Sequence, residues 1–522
     1  MRSPAPSSAR DTLALVAIVV LGALLRCLAV GATSPERLQP DEAHALNVAR
    51  CFARGQGFST TEAWPAWLAP AKLPTPETFK EPGYPWLIAR LTPAGGDLQR
   101  TGQMLSLVAG ILLPWLLYGL ARRSDADPAV ARLAALLAAT SPLLIDLSVW
   151  VLVESLFAAV VVAMLWAASP HADTTRSRPL ASDLLAAALF AIAYLLRAQV
   201  LLTLPALLWL LFQRRPWVAT VKRLVPGAVI ALAILSPLIV RNLRLFGVPF
   251  FSNIAAYGIW PYVDQVRFSH GLDRPPAPLA FALTHLPAVA RHWCWSAIQF
   301  LRVSLPGDVL GSALWAVAFA AGVVLALARP REYGFALLAI AVMLGFIFAV
   351  HWADYYFSSV TPLICLIAGL GGMWLWRLLE DEPILGPVRG GHLLAAGAAL
   401  LIVLQGAIAW RQAERIDSPE LVAARHEASW LRARLPADAS VMVLTTSWWS
   451  WYADRPTVHL VIADRERFAE VVKRLEVRYA ALPTSQIAKL AAHYPEGRLP
   501  DLLVVDHVDS ARDLTVFAVR GR

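Results

Sequence analysis

Long apolar runs separated by short polar segments occupy the chain as far as about position 410. A membrane span needs about 20 apolar residues. By that measure the runs near 12–31, 100–121, 129–146, 148–168, 180–196, 198–213, 221–240, 309–328, 333–350, 355–376 and 393–410 predict about eleven spans. The pattern changes near Asp417. "SVMVLTT", "TVHLVIA", "VRYAAL", "LLVVDHV" and "LTVFAVR" are β-branched runs of strand length, and "DRERFAEVVKRL" has helical period. Strands alternating with helices predict a small α/β domain over 417–522, after a transmembrane domain over 1–411.

The charges orient this arrangement. With the N-terminus inside, the cytoplasmic loops are "ARRSDADPAVAR", "HADTTRSRPLASD", "QRRPWVATVKR", "ARPRE" and "WRLLEDEPILGPVRGG", and each carries Arg or Lys. An odd number of spans then places the C-terminal domain outside the cytoplasm, together with two large loops, 32–99 and 241–308. The second loop contains "RHWCWSAIQFLRVSLP", which reads as an interfacial or re-entrant helix because Trp293 and Trp295 suit a bilayer boundary. The segment from Met1 to Gly31 imitates a signal peptide, but Arg26 and Cys27 interrupt the apolar core, so it is read as an uncleaved span.

Composition narrows the class. Of 522 residues 57% are hydrophobic and 16% charged, where a soluble protein of this length has about a quarter charged. Mean hydropathy is +0.55, as for an integral membrane protein. The net charge of +9 resides largely in short loops and is not read as a nucleic-acid surface. The four cysteines show no metal spacing or disulfide framework. Cys51 and Cys294 both fall on the outer side, where a bridge would require their α-carbons to approach closely.

Polar residues in this setting are the candidates for chemistry. "PDEAHALNVARCFARGQGF" begins an amphipathic helix with Asp41 and Glu42. Acids there suit an N-cap and the helix dipole. A carboxylate at a membrane–water boundary can also take a proton from an attacking hydroxyl or amine. In "FKEPGYPWLIA", Pro82, Gly83 and Pro85 predict a rigid extended turn, with Lys80 before it as a snorkelling lysine or a point charge for phosphate. Glu154 lies inside an apolar run, where an acid is costly. It is read as a functional group or as the buried partner of an arginine. The aromatic cluster "TTSWWSWYADRP" is read as core in preference to a sugar-stacking surface. No Gly-rich nucleotide loop or Walker element is present.

Taken in order, these elements resemble the polyprenyl-phosphate-dependent membrane glycosyltransferases, the GT-C superfamily of protein O-mannosyltransferases and lipid A aminoarabinose transferases. The resemblance covers residues 10–380. It rests on Arg26 near the outer end of the first span, "PDEAHALNVARCFARGQGFS", "FKEPGYPWLIARL" and "SPLLIDLSVWVLVESLF", followed by "LLRAQVLL", "RNLRLFGVPFFSN" and "HWADYYFSSVTPL". It implies a GT-C-like polytopic helical fold of about eleven spans with a C-terminal α/β extracytoplasmic domain. It also implies transfer of a sugar from a polyprenyl-phosphate donor to an extracytoplasmic protein, lipid or glycan, in the inner (plasma) membrane.

The resemblance assigns residues as well. Asp41 is the implied base with Glu42 as helper. Lys80, Arg197, Arg241 and Arg244 are the implied donor-phosphate ligands, guanidinium forks matching phosphate oxygens. Glu154, Arg302, His351 and Tyr355 are further cavity candidates. Two departures stand out: Glu81 replaces a proline beside Lys80, and Tyr355 stands where the family often has arginine. A divalent metal among Asp41, Glu42, Glu154 and His351 has suitable donors but no spacing signal. A lipid-linked-sugar flippase and a non-catalytic envelope-assembly protein are the competing readings.

Overall fold

The computed structural model describes residues 9–33, 38–63, 72–169, 180–213, 217–252, 262, 278–350, 353–380, 383–385, 388–389, 396–397, 399–400, 403–407 and 419–520. The chain forms two compact units. A helical unit comprises Met1–Thr33, Gln103–Phe251 and Arg291–Arg415; a sheet unit comprises Ser34–Gly102, Ser252–Ala290 and Ile416–Arg522. The first large loop therefore packs with the C-terminal region, where the sequence divided the chain into 1–411 and 417–522.

In the helical unit, Ala9–Ala32, Leu98–Arg123, Trp217–Phe246, Pro330–Ile347 and Thr361–Leu379 are each long and apolar enough to cross a membrane. Glu154–Ala168, Leu180–Leu196 and Ala198–Phe212 are shorter apolar helices. The run expected at 129–146 is not one straight span. It breaks into Pro128–Thr140 and Pro142–Val149 with a 50° bend, because Pro142 lacks the N–H that would continue the first helix. Half of the run at 393–410 lies outside the described residues.

The break exposes carbonyls at a buried helix end, and Arg26 satisfies them. Its guanidinium, fully buried, donates to Ala139 O at 2.8 Å, Ala138 O at 3.2 Å, Gly22 O at 3.0 Å and Ser148 Oγ at 3.1 Å. A cation at a helix C-terminus answers both the orphan carbonyls and the dipole. The arginine that marked the first span is thus a structural clamp. Elsewhere in this unit the helices Ala313–Ala328 and Thr361–Leu379 touch backbone to backbone. A Cβ added at Gly322 would lie 1.9 Å from Ile367 O, and one at Gly371 1.9 Å from Ala318 O. Small residues permit such approach between apolar helices.

The segment read as interfacial or re-entrant is helical. Leu286–Gln299 continues into a π-helical stretch, Phe300–Val309, and the chain then turns by 114° into Ala313–Ala328. All four cysteines are free, so no Cys51–Cys294 bridge forms.

The sheet unit is built on six strands: β1 (Glu62–Ala63), β2 (Ser440–Val443), β3 (Thr457–His459), β4 (Val477–Pro483), β5 (Leu503–Asp509) and β6 (Leu514–Val519), in the order β1-β3-β2-β4-β6-β5. The first four are parallel and the last three pair antiparallel. Helices Thr446–Ala453 and Arg465–Arg474 make the crossovers that parallel strands require. The central β2 is buried at all four positions, consistent with a strand covered on both faces. All five predicted C-terminal strands and the helix over 465–474 are present. The aromatic run is the unpredicted helix Thr446–Ala453; Trp449 is core and Trp448 Nε1 donates to Leu38 O at 2.9 Å. Another unforeseen element is β1, which carries the first loop into this sheet.

Candidate functional site

Helix Pro40–Ala53 carries the opening carboxylates of the sheet unit. Gln39 is its N-cap and Pro40 its first residue, where a missing N–H costs nothing. Asp41 and Glu42 follow at the second and third helical positions, so Asp41 is not the cap. Glu42 is buried, and its Oε2 accepts the Gln39 backbone N–H at 2.7 Å. That is the carboxylate half of a capping box, so the implied helper has a structural duty. Asp41 is partly exposed instead, and its Oδ1 meets Lys80 Nζ at 2.7 Å. The implied base and one implied phosphate ligand, well separated in sequence, form an ion pair. Lys80 lies in the turn before helix Gly83–Leu91. "EPGYP" thus opens a helix, and the extended turn expected of its prolines is absent, because Pro85 sits in the first turn, where proline is tolerated.

Beneath this pair lies a cluster that the sequence reading missed. His44 is buried between two buried carboxylates: its Nδ1 is 3.1 Å from Glu62 Oε2 and its Nε2 3.2 Å from Glu77 Oε2. The second contact is a close ion pair. Glu62 also accepts from Asn47 Nδ2 and Ser447 Oγ, each at 2.8 Å. Glu77 Oε1 accepts the backbone N–H groups of Phe79 and Lys80. Burial pushes the imidazolium pKa down, but the two glutamates outweigh it and raise it to about 10. The same imidazolium and the two amides hold the Glu77 carboxyl below its ordinary range against the opposing effect of burial. The signal available in the sequence was the spacing of His44 and Asn47, three apart on one helix face.

A third group ties the same helix to Thr446–Ala453. Asp454 receives Arg50 Nη1 at 2.6 Å and Arg54 Nη2 at 2.8 Å, and Arg50 lies 4.0 Å over the Trp451 ring. Burial opposes ionisation of Asp454, but the two guanidiniums bring its pKa down to about 2.

In the helical unit, Arg197 and Glu154 form a buried ion pair. The Arg197 guanidinium also lies 5.0 Å from the Tyr356 ring and 5.7 Å from the Tyr355 ring. Glu154 therefore meets an arginine, as one of its two readings expected, and Tyr355 lines the same place. Arg241, half-buried, donates to Asn242 Oδ1 at 2.9 Å. Asn242 donates to Pro249 O and Phe251 O and so pins the turn after helix Trp217–Phe246. Arg244 is exposed on the last turn of that helix, and Arg302 is exposed on the π-helical stretch. His351 lies outside the described residues. Among the described residues, no three or more His, Cys, Asp or Glu are grouped to hold a metal ion.

A family model described as dolichyl-phosphate-mannose-protein mannosyltransferase matches residues 76–240. Two solved structures share the fold over nearly the whole chain. The archaeal oligosaccharyltransferase AglB from Archaeoglobus fulgidus, in complex with an inhibitory peptide and a dolichol-phosphate, aligns at TM-score 0.63 and 14% identity, over 94% of this chain and 72% of its own. ArnT from Cupriavidus metallidurans, bound to undecaprenyl phosphate, aligns at TM-score 0.58 and 15% identity, over 98% of each chain. The uncharacterized protein YeiB of Escherichia coli K12 is 30% identical over 140 residues, so the match spans 26% of this chain and 33% of that protein. The fold is that of the GT-C membrane glycosyltransferases, with a small C-terminal sheet, and the chain is a membrane protein.

Proposed function

We propose that this protein is an integral glycosyltransferase. It moves a sugar from a polyprenyl-phosphate donor to an acceptor on the outer face of the inner membrane, with Asp41 as general base. The observation that carries this reading is the Asp41–Lys80 pair at 2.7 Å. Both side chains are partly exposed, 32% and 24% respectively, so the pair can exchange partners. An ion pair of this kind is worth about 0–1 kcal/mol, and a phosphate brings more charge than a single carboxylate.

The chemistry follows from that exchange. Lys80 turns to an oxygen of the lipid phosphate, and Asp41 becomes the proton acceptor. The acceptor hydroxyl or amine attacks the anomeric carbon, and its proton passes to Asp41. The bond from that carbon to the phosphate oxygen breaks, the electron pair staying on the lipid phosphate. Lys80 stabilises the charge that grows there.

The test is turnover of lipid-linked sugars by purified protein in nanodiscs. Wild type is given a panel of polyprenyl-phosphate sugars and cell-extract acceptors beside Asp41→Asn. Consumption of one donor by wild type, lowered about 10²–10⁴-fold in the variant, is expected. Movement of intact lipid across the bilayer, with no glycosyl bond broken, would replace this reading with a flippase. Full transfer by Asp41→Asn would remove Asp41 from the chemistry.

A further inference from the structure

His44 is a large commitment of buried charge that the proposed transfer does not use. It is 5% exposed, and the Glu62 and Glu77 side chains are 0% and 1% exposed. Burying three ionisable groups is costly unless each is paired and hydrogen-bonded. Here the partners lead in two directions. Glu62 belongs to β1, which pairs with β3 through Glu62–Thr457 and Ala63–Val458, and it is held further by Asn47 and Ser447. That end is fixed to the sheet.

Glu77 leads the other way. One of its oxygens faces His44 Nε2, and the other accepts two consecutive backbone N–H groups, those of Phe79 and Lys80. A carboxylate gripping successive amides fixes the backbone from which the Lys80 side chain departs. A second link runs through Phe79. Its ring meets the His44 ring edge-on at 6.0 Å, and the Lys80 ammonium lies 5.8 Å from the same ring. Both routes end at the ammonium that meets Asp41.

We propose that His44 is a positioning residue: clamped between Glu62 and Glu77, it fixes the 77–80 turn and so sets the Lys80 ammonium against Asp41. The consequence for turnover rests on the glycosyltransfer reading; the placement of Lys80 does not. The raised pKa of His44 keeps it an imidazolium at neutral pH, which the clamp requires.

Glu77→Gln is a sharp probe because a carboxamide has one acceptor oxygen where a carboxylate has two. It can satisfy His44 or the amides of Phe79 and Lys80, but not both. His44→Gln removes the cation itself. The experiment follows acylation of Lys80 by a small amine-reactive reagent, read by peptide mass spectrometry on the full chain in nanodiscs, with Asp41→Asn as the released reference. Lys473 and Lys489, on other helices of the same unit, are internal controls. In both variants Lys80 should react about two- to fivefold faster, the factor for losing a partly exposed ion pair, while the control lysines stay at the wild-type rate. Wherever transfer is measurable, kcat should fall about tenfold or more with KM for acceptor little changed, as for a misplaced reacting group. Unchanged Lys80 reactivity in a folded variant, or a rise shared equally by Lys473 and Lys489, overturns the proposal. A specific Lys80 response in a protein that transfers no sugar would support the positioning role and reject the glycosyltransfer reading.

Discussion

Removing the proton from His44 should loosen the sheet unit from within, and the structure sets the size of the effect. In the unfolded chain the imidazole titrates near 6.5; in the fold it holds its proton to about 10. Between those values the folded state binds more protons than the unfolded state. Stability from this group is thus fully present below 6.5 and is lost as pH rises through about 10. Each pH unit in that window removes at most about 1.4 kcal/mol, so the full loss is about 3–5 kcal/mol. Relaxation of the two glutamates brings the expected loss to about 2–4 kcal/mol. The assay is hydrogen exchange of peptides from helix Pro40–Ala53 at pH 7, 8.5 and 10, corrected for intrinsic rates, in wild type and His44→Gln. Protection in wild type should fall by that amount, and the variant, lower at neutral pH, should be nearly flat. A parallel decline in both proteins would refute the reasoning. It would mean that the cluster holds a neutral imidazole beside a protonated glutamate and that the alkaline loss comes from other groups.

Three further perturbations probe separate features. Glu427, buried on helix Pro419–Arg434, has its pKa pushed up to about 7 by burial and then by Asp513. The stability it affects is present below about 4.5 and is lost as pH rises to about 7. Glu427→Gln should therefore protect strand β2 from exchange by about 1–3 kcal/mol more than wild type at pH 8 and by nothing at pH 4. Gly371→Ala places a carbon where Ala318 O stands, at 1.9 Å. It should lower the thermal midpoint of the detergent-solubilised protein, at a cost of about 1–3 kcal/mol, and a wild-type midpoint would show that the two helices can slide apart freely. Glu154→Gln strands the Arg197 guanidinium in a buried site and should cost about 3–5 kcal/mol, seen as loss of monodisperse protein in size exclusion. Adding Arg197→Met should restore most of it, and no restoration would rule out the pair as the cause.

What was legible in the sequence followed from periodicity and from acids and bases in apolar surroundings. The long spans and the C-terminal strands are hydrophobic runs of the right length, so one-dimensional pattern suffices for them. Glu154 invited an arginine, and Arg197 supplies it. Asp41 and Lys80 were each singled out, but their meeting was not, because the rest of a helix and an edge strand separate them along the chain. Strand β1 is two residues long, too short for any alternation to register, and its partner β3 lies at the far end of the chain. Without β1 there was no reason to bring Glu62 to His44 or Ser447 to Glu62. The bend at Ser141 is different. Pro142 is visible in the sequence, but the apolar run continues through it, so hydropathy alone does not mark the break that the missing N–H makes.

The charged groups of the sheet unit sort by how easily each is exchanged. His44 is enclosed by Glu62 and Glu77, and Asp454 is gripped by two arginines with Arg50 stacked on Trp451. Removing one partner from the buried His44 cluster leaves a charge uncompensated at a cost of about 3–5 kcal/mol. The His44 cluster cannot easily release a side chain to a substrate, and Asp454 is held by two cations at once. Asp41 and Lys80 meet where water reaches both, so their attraction is small and an incoming phosphate can displace it. Strength of pairing and fitness for chemistry run in opposite directions here. In the transfer we propose, the His44 cluster supplies a fixed frame, and the Asp41–Lys80 pair mounted on it is the one that changes partners.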